Sequence, residues 1–310
     1  MERNARRTIR ESLLNTMPLP HKHAYDAFGS HWEITVWDDI ASSHFHALMR
    51  EVLARSEQFE AIFSRFIPTS LVSRIATERQ TGEITVPRDF TAMLRLYFQL
   101  YQATDGKITP LIGHTLSDLG YDADYSLSPQ KIVRLSPDLL ETVTLIDSAH
   151  IAVKYPVLFD FGAIGKGYFC DRIADFLREN AIRRFLVNGS GDIVYEGNGE
   201  AVHVGLEHPN DTTKVVGSVE MTRGALCASG TNRRRWRNYH HIIDPDTTTS
   251  PEHLLATWVI AENAALADIL ATALFLAAPQ ALRTAIPFEY ATLDPTLILH
   301  QSHDFRAKTY

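Results

Sequence analysis

Cysteine is almost missing from this sequence. Cys170 and Cys227 are the only two. They cannot build a disulfide framework, and such sparse use suits a reducing compartment. Long hydrophobic runs are missing as well. The most apolar stretch, LLATWVIAENAALADILATALFLAAP, is broken by Glu262, Asn263 and Asp268, so no run reaches the roughly 18 apolar residues of a membrane span. Positive charge is in deficit. A net charge of −7 and a pI near 6.0 argue against nucleic acid as a partner, which would call for a basic face. The first residues, MERNARRTIRESLLNTMPLP, hold no apolar segment of signal-peptide length and no cysteine for a lipid anchor. A cytoplasmic protein without membrane insertion is the expectation. No repeat or low-complexity tract stands out. Residues 1–24 read as an N-terminal extension and 25–310 as one domain.

What is present is a mixture of periodicities. FGSHWEITVWDD alternates and predicts a strand near 32–38. SSHFHALMREVLARSEQFEAIFSRF and PRDFTAMLRLYFQLYQATDGK have helical spacing, the second with proline at its start and glycine at its end. KGYFCDRIADFLRENAI and NAALADILATALFLAAP predict two further helices, with strand candidates between and after them. Helices and strands follow no regular βα alternation. That favours an α+β fold with a largely antiparallel sheet over a doubly wound one.

Four segments carry candidate chemistry. DFGAIGKGYFCDRIADF is rich in glycine. It is not a Walker loop, because Asp160 stands where the first glycine belongs and Gly167 where Ser or Thr belongs; the G-x-G-x-x-G fingerprint is absent too. A glycine turn entering a helix near Lys166 serves either close packing or an anion at the helix N-terminus. Asp268 and Thr272 are four apart on a helix that is apolar nearly all round. Their oxygens suit a hard cation such as Mg²⁺, or else the aspartate bonds to a neighbouring backbone. In NRRRWRNYHHIIDPDTTTS, His241 precedes a short apolar strand and a turn, as a general base or a phosphate contact would. His240 should point to the opposite face of the extended chain. The arginines at 233–235 and Arg237 make a local basic stretch that reads as a site for a phosphorylated ligand or acidic partner, or as a solvated loop. VNGSGDI is a tight turn between strands, with Asp192 positioned to close it.

Taken in order, these segments resemble the ApbE-like family of FAD:protein FMN transferases. DFGAIGKGYFCDRIADF is similar to its D-[LF]-G-G-I-A-K-G-Y-x-x-D motif, FLVNGSGDI to N-x-G-G-D-I, and ASG followed by HHIIDPDT to T-S-G … S-H-I-I-D-P-x-T-G. ALADILATALF resembles A-D-A-L-A-T-A-L-F. FSRFIPTSLVSRI and ATDGKITPLIG resemble two earlier family segments. The likeness runs over residues 25 to 300. The chain departs from the family pattern at Ala163, Thr109, Thr248 and Ala271.

The resemblance implies a T-fold-like α+β architecture and a Mg²⁺-dependent enzyme that binds FAD. It would place FMN on a Ser or Thr hydroxyl of a target flavoprotein in the cytoplasm and release AMP. By the same resemblance, Ala163 (through its carbonyl), Asp268 and Thr272 would hold the metal. Phe66, Lys107, Ile108, Thr109, Asp160, Lys166 and Ile243 would contact FAD, and His241 would be the base. A Mg²⁺-dependent FAD pyrophosphatase would use the same groups with water as acceptor. A non-catalytic FAD-binding protein is the third reading.

Overall fold

A computed structural model describes residues 19–310. Its centre is an eight-stranded sheet whose spatial order is its chain order. Numbered within that sheet, the strands are β1 (His21–Ala27), β2 (Ser30–Val36), β3 (Phe185–Gly189), β4 (Ile193–Glu196), β5 (Arg223–Gly230), β6 (Ala256–Ala261), β7 (Glu289–Leu293) and β8 (Leu299–Gln301). Every neighbouring pair is antiparallel. The fold is therefore α+β with mainly antiparallel sheet, as the sequence predicts. β1 begins at His21, so the sheet takes in the last four residues of the segment read as an extension; residues 1–18 of that segment lie outside the described residues.

Alternation along the strands explains the layers. Val194, Ala225, Cys227 and Val259 point to one face and join the larger core. Ile193, Tyr195, Leu226 and Trp258 point to the other. The first face is covered by four helices of ten or more residues: α1 (Ser42–Phe63), α2 (Arg88–Ala103), α3 (Gly165–Glu179) and α4 (Ala264–Ala273). The second is covered by a three-stranded sheet, Val202–His208 and Asp211–Met221 with the short Lys308–Thr309 at its edge, whose Val204, Leu206, Val219 and Met221 are buried against it. A sheet covered on both faces needs apolar residues at both parities, which is why β5 and β6 read as continuous apolar runs.

α3 and α4 meet at a seam with no room for side chains. A Cβ on Gly167 would lie 2.1 Å from the Ala264 carbonyl oxygen and 2.7 Å from Asp268 Cβ. The two helices also hold each other's N-termini. Gly167 N–H in the first turn of α3 donates to Asp268 Oδ2 at 2.9 Å. Ala264 and Ala265 N–H at the start of α4 donate to Asp171 at 2.9 and 2.8 Å. Each carboxylate satisfies donors that a helix start leaves free, and each sits where the partner helix's dipole favours negative charge.

The segment 119–138 has little regular structure and is tethered by side chains, among them Thr115, whose hydroxyl donates to the Arg134 carbonyl oxygen at 2.8 Å, and Asp118. Asp118, buried, accepts from Arg134 Nε at 2.7 Å, Nη2 at 2.6 Å and N–H at 3.0 Å. Burial works to raise the Asp118 carboxyl, but the Arg134 bonds and charge outweigh it and hold the group below its usual 3.8. A depressed carboxyl stabilises the fold above its unfolded value and loses that contribution as the pH falls through the folded value. Asp118→Asn should therefore cost about 1–2 kcal/mol at neutral pH, and this difference from wild type should shrink below about pH 4. Urea unfolding of both proteins at neutral and acid pH reads it; an equal difference at both would remove the tether as its source.

Candidate functional site

The ends of β3 and β5, the starts of α3 and α4 and the loops at 107–112 and 233–243 enclose a cavity of about 470 Å³. That is the size of a small-molecule site. Eleven residues singled out in the sequence line it together: Phe66, Lys107, Ile108, Thr109, Asp160, Ala163, Lys166, His241, Ile243, Asp268 and Thr272. They come from segments as far apart as 66 and 272, so only the fold brings them together.

Lys166 and Asp268 sit at the floor. The Lys166 ammonium pairs with Asp192 and lies 3.6 Å from Asp268 Oδ1. Burial works against its charge, yet Asp192 and Asp268 hold it protonated above the usual lysine range. Asp268 is buried, and burial together with the neighbouring Asp192 charge raises its carboxyl well above the ordinary range; Lys166 and the Gly167 N–H only partly offset this. The helix N-terminus, which the sequence left open between close packing and an anion, is packed closely through Gly167 and donates to the protein's own Asp268 carboxyl. Thr272, one turn on, has its hydroxyl 3.3 Å from Ser229 Oγ.

No cluster of three or more His, Cys, Asp or Glu side chains able to hold a metal occurs among the described residues. The oxygen donors of Asp268 and Thr272 line the cavity together with Ala163, whose carbonyl the family resemblance would use. Beside them is Asp192 Oδ1, a buried carboxylate oxygen with no hydrogen-bond partner. An all-oxygen set this thin suits a hard cation that keeps water and substrate oxygens in its shell, as Mg²⁺ does, rather than a soft metal in a protein cage.

Asp160 is fixed on both oxygens. Oδ2 accepts from Arg65 Nε at 2.5 Å and Oδ1 from Gly162 N–H at 2.7 Å. Arg65 is buried, and its guanidinium carbon stands 4.2 Å from the Phe66 ring centre and 4.8 Å from that of Tyr121. Phe66 is covered on a face by Tyr125 too, stacked at 5.2 Å and 15°. Lys107 lines the cavity, but its ammonium bonds Asp244 at 2.8 Å and Asp246 at 2.7 Å, joining the 107–112 loop to the turn after His241. The Thr109 hydroxyl accepts from Leu111 N–H at 3.1 Å and caps a short 3₁₀ turn. Ile108 is buried against the larger core, and Ile243 packs in a small cluster with Tyr121 and Trp236.

His241 faces the cavity, and its Nδ1 is buried without a partner. Burial, then the charges of Arg234, His240 and Lys166, lower its pKa to about 3, so the imidazole is neutral near pH 7. His240 turns away, as expected of an extended chain, but into the body of the protein. It is buried, and its Nε2 lies 2.9 Å from the Pro251 carbonyl oxygen.

Comparison with known proteins matches residues 28–291 to a family profile described as the ApbE family. The chain belongs to the ApbE family. Over 274 residues it is 23% identical to the FAD:protein FMN transferase of Escherichia coli strain K12, covering 81% of this chain and 77% of that one. A Klebsiella pneumoniae protein of the same name is 32% identical over 122 residues, 37% of this chain and 38% of that one. Among solved structures, the ApbE protein of Thermotoga maritima superposes with a TM-score of 0.80 at 21% identity, over 93% of this chain and 98% of that one. The flavin transferase ApbE of Vibrio cholerae gives 0.75 at 19%, over 93% and 99%.

One residue of this ApbE-family chain went unread in its sequence, and two were read only as part of a turn or of a basic stretch. Arg65 holds Asp160 across 95 residues. Asp192 closes its turn but also balances Lys166. Arg234 lines the cavity. The only signal for Asp192 was its place after NGSG, and for Arg234 its place in an arginine run.

The seam gives a direct test. Gly167→Ala should lower stability by about 1–3 kcal/mol or more, because backbone must move to admit the methyl group. Gly165→Ala should be near neutral, since its Cβ would meet nothing closer than 3.9 Å. Urea midpoints of the two variants decide it; equal midpoints would mean that the helices can part.

Proposed function

We propose that this chain is a Mg²⁺-dependent FAD:protein FMN transferase that attaches FMN to a Ser or Thr hydroxyl of a cytoplasmic target flavoprotein. The observation that carries the proposal is the convergence of all eleven residues on one cavity, in a chain homologous over most of its length to enzymes of that name. Asp268, Thr272 and the Ala163 carbonyl would hold the Mg²⁺, which when bound would neutralise pyrophosphate charge and orient the phosphate being transferred.

The chain's own groups supply the rest. The acceptor oxygen attacks the phosphorus next to the riboflavin half of FAD. A new O–P ester bond forms, the P–O bond to the second phosphate breaks, and AMP leaves with the bridging oxygen. The hydroxyl proton needs an acceptor, and His241 is neutral and ready to take it. Two of the charges that hold its pKa down belong to Lys166 and Arg234. A bound pyrophosphate beside them offsets that field, so substrate binding itself would raise the basicity of His241. Asp160, fixed by Arg65 and Gly162, offers a rigid acceptor edge, and Ile243 and Phe66 offer apolar surface to the rings.

Incubation with FAD, Mg²⁺ and candidate flavoproteins, followed by intact-mass measurement, tests the activity. An FMN adduct on the partner supports transfer; FMN and AMP without an adduct point to pyrophosphate hydrolysis. His241→Ala should lose about 10²-fold or more in single-turnover FMN transfer with FAD affinity nearly kept. His240→Ala should keep its transfer rate per folded molecule but lose about 1–3 kcal/mol of stability, because its bond to Pro251 is buried. A normal transfer rate in His241→Ala would remove it as the base.

A further inference from the structure

Four cationic side chains line the cavity: Lys107, Lys166, Arg233 and Arg234. Three have carboxylates. Lys107 has Asp244 and Asp246, Lys166 has Asp192 and Asp268, and Arg233 has Glu207 at 3.0 Å. Among the described residues, Arg234 has no carboxylate within ion-pair distance. Its recorded contact is Nη2 to the Phe28 carbonyl oxygen at 3.5 Å, too long to engage the fork firmly. Its charge nevertheless reaches the reacting region, where it opposes protonation of both Lys166 and His241.

The backbone holds this arginine in place. Arg234 sits at φ +52°, a left-handed conformation uncommon for a residue with a side chain. The short hairpin that follows, Arg235–Trp236 with Tyr239–His240, is clamped by Trp236. That indole donates to the Leu119 carbonyl oxygen at 2.9 Å and stacks on Tyr121 at 5.5 Å. Half-buried Arg234 is thereby held at the cavity wall, whereas Arg235 and Arg237 are exposed. Arg237 has the same left-handed backbone, φ +48°, yet is exposed, so it is the missing carboxylate at the cavity wall that marks Arg234 as a ligand contact.

Resting on the transferase reading, we propose that Arg234 is the residue that binds the FAD pyrophosphate, with Lys166 serving chiefly to balance Asp192 and Asp268. A guanidinium offers two parallel N–H groups to phosphate oxygens, a fit that a lysine held by carboxylates does not provide. An acidic segment of the acceptor protein is the competing occupant. The half-buried position beside Lys166 and His241 favours the phosphates.

Calorimetric titration with FAD, ADP and riboflavin separates these. In Arg234→Ala the dissociation constants of FAD and ADP should rise about tenfold or more, while that of riboflavin stays within about twofold. Arg234→Lys should recover part of the loss. Arg234→Gly relieves the left-handed backbone, so it should melt no lower than Arg234→Ala yet bind ADP as weakly; a variant that binds ADP normally overturns the proposal. Unchanged FAD and ADP binding with a raised KM for the acceptor protein also overturns it and assigns Arg234 to acceptor docking. Arg235→Ala, on an exposed neighbour, should match wild type in every titration, and a loss equal to that of Arg234→Ala would show a diffuse charge effect instead. A wild-type chain that binds neither FAD nor ADP overturns the transferase reading itself, before any variant is made.

Discussion

The reciprocal hold between α3 and α4 sets the geometry of everything around it. Asp268 belongs to α4 and rests on the N-terminus of α3; Asp171 belongs to α3 and rests on the N-terminus of α4. Neither carboxylate can shift without freeing backbone donors that have no other partner. The arrangement keeps a carboxylate buried and under electrostatic stress next to the cavity. Burying it is tolerable because Lys166 and a helix start share its charge. A cation arriving at such a group relieves an existing cost rather than creating a new one.

The rest of the cavity is built by neutralisation. Asp160 is balanced by Arg65, Lys107 by Asp244 and Asp246, Lys166 by Asp192. Charged groups locked in pairs supply rigidity and shape, and those left over supply attraction. The aromatic wall follows the same logic. Phe66 is pinned between Arg65 and Tyr125, and Tyr121 between Arg65 and Trp236. Rings fixed in this way lose little conformational freedom when a planar ligand arrives.

Much of this was legible from sequence where a local anomaly met a regular pattern. Asp268 and Thr272 stood out because polar groups four apart break an otherwise apolar helix. The glycines at 165 and 167 stood out because a helix start has no other use for two of them. The α+β class was legible from the mixture of helical and strand periods without regular alternation, whereas the two covered faces of the sheet emerged only from the packing. Arg65 was not legible, nor were the pairing of Asp192 with Lys166 and the inward turn of Arg234 within its basic stretch, because each takes its meaning from partners distant in the chain. An arginine beside a phenylalanine in FSRF carries no sign of an aspartate at 160. Within a run of arginines, the one that turns inward is chosen by its place just before a hairpin that Trp236 clamps to the body of the protein. His240 and His241 could be told apart only as opposite faces, and the sequence did not reveal that the face of His240 is buried in the body of the protein while that of His241 lines the cavity.

The Gly167 seam also bears on how far such a chain can diverge. The position of Asp268 relative to α3 is set by main-chain contact, the one part of a protein that substitution leaves alone. Side chains elsewhere on the two helices can be exchanged in compensating groups while the carboxylate stays where it is. A site registered through backbone needs only a few fixed residues, and the remainder of the chain is free to drift. The fold itself superposes on structures with 19–21% identity.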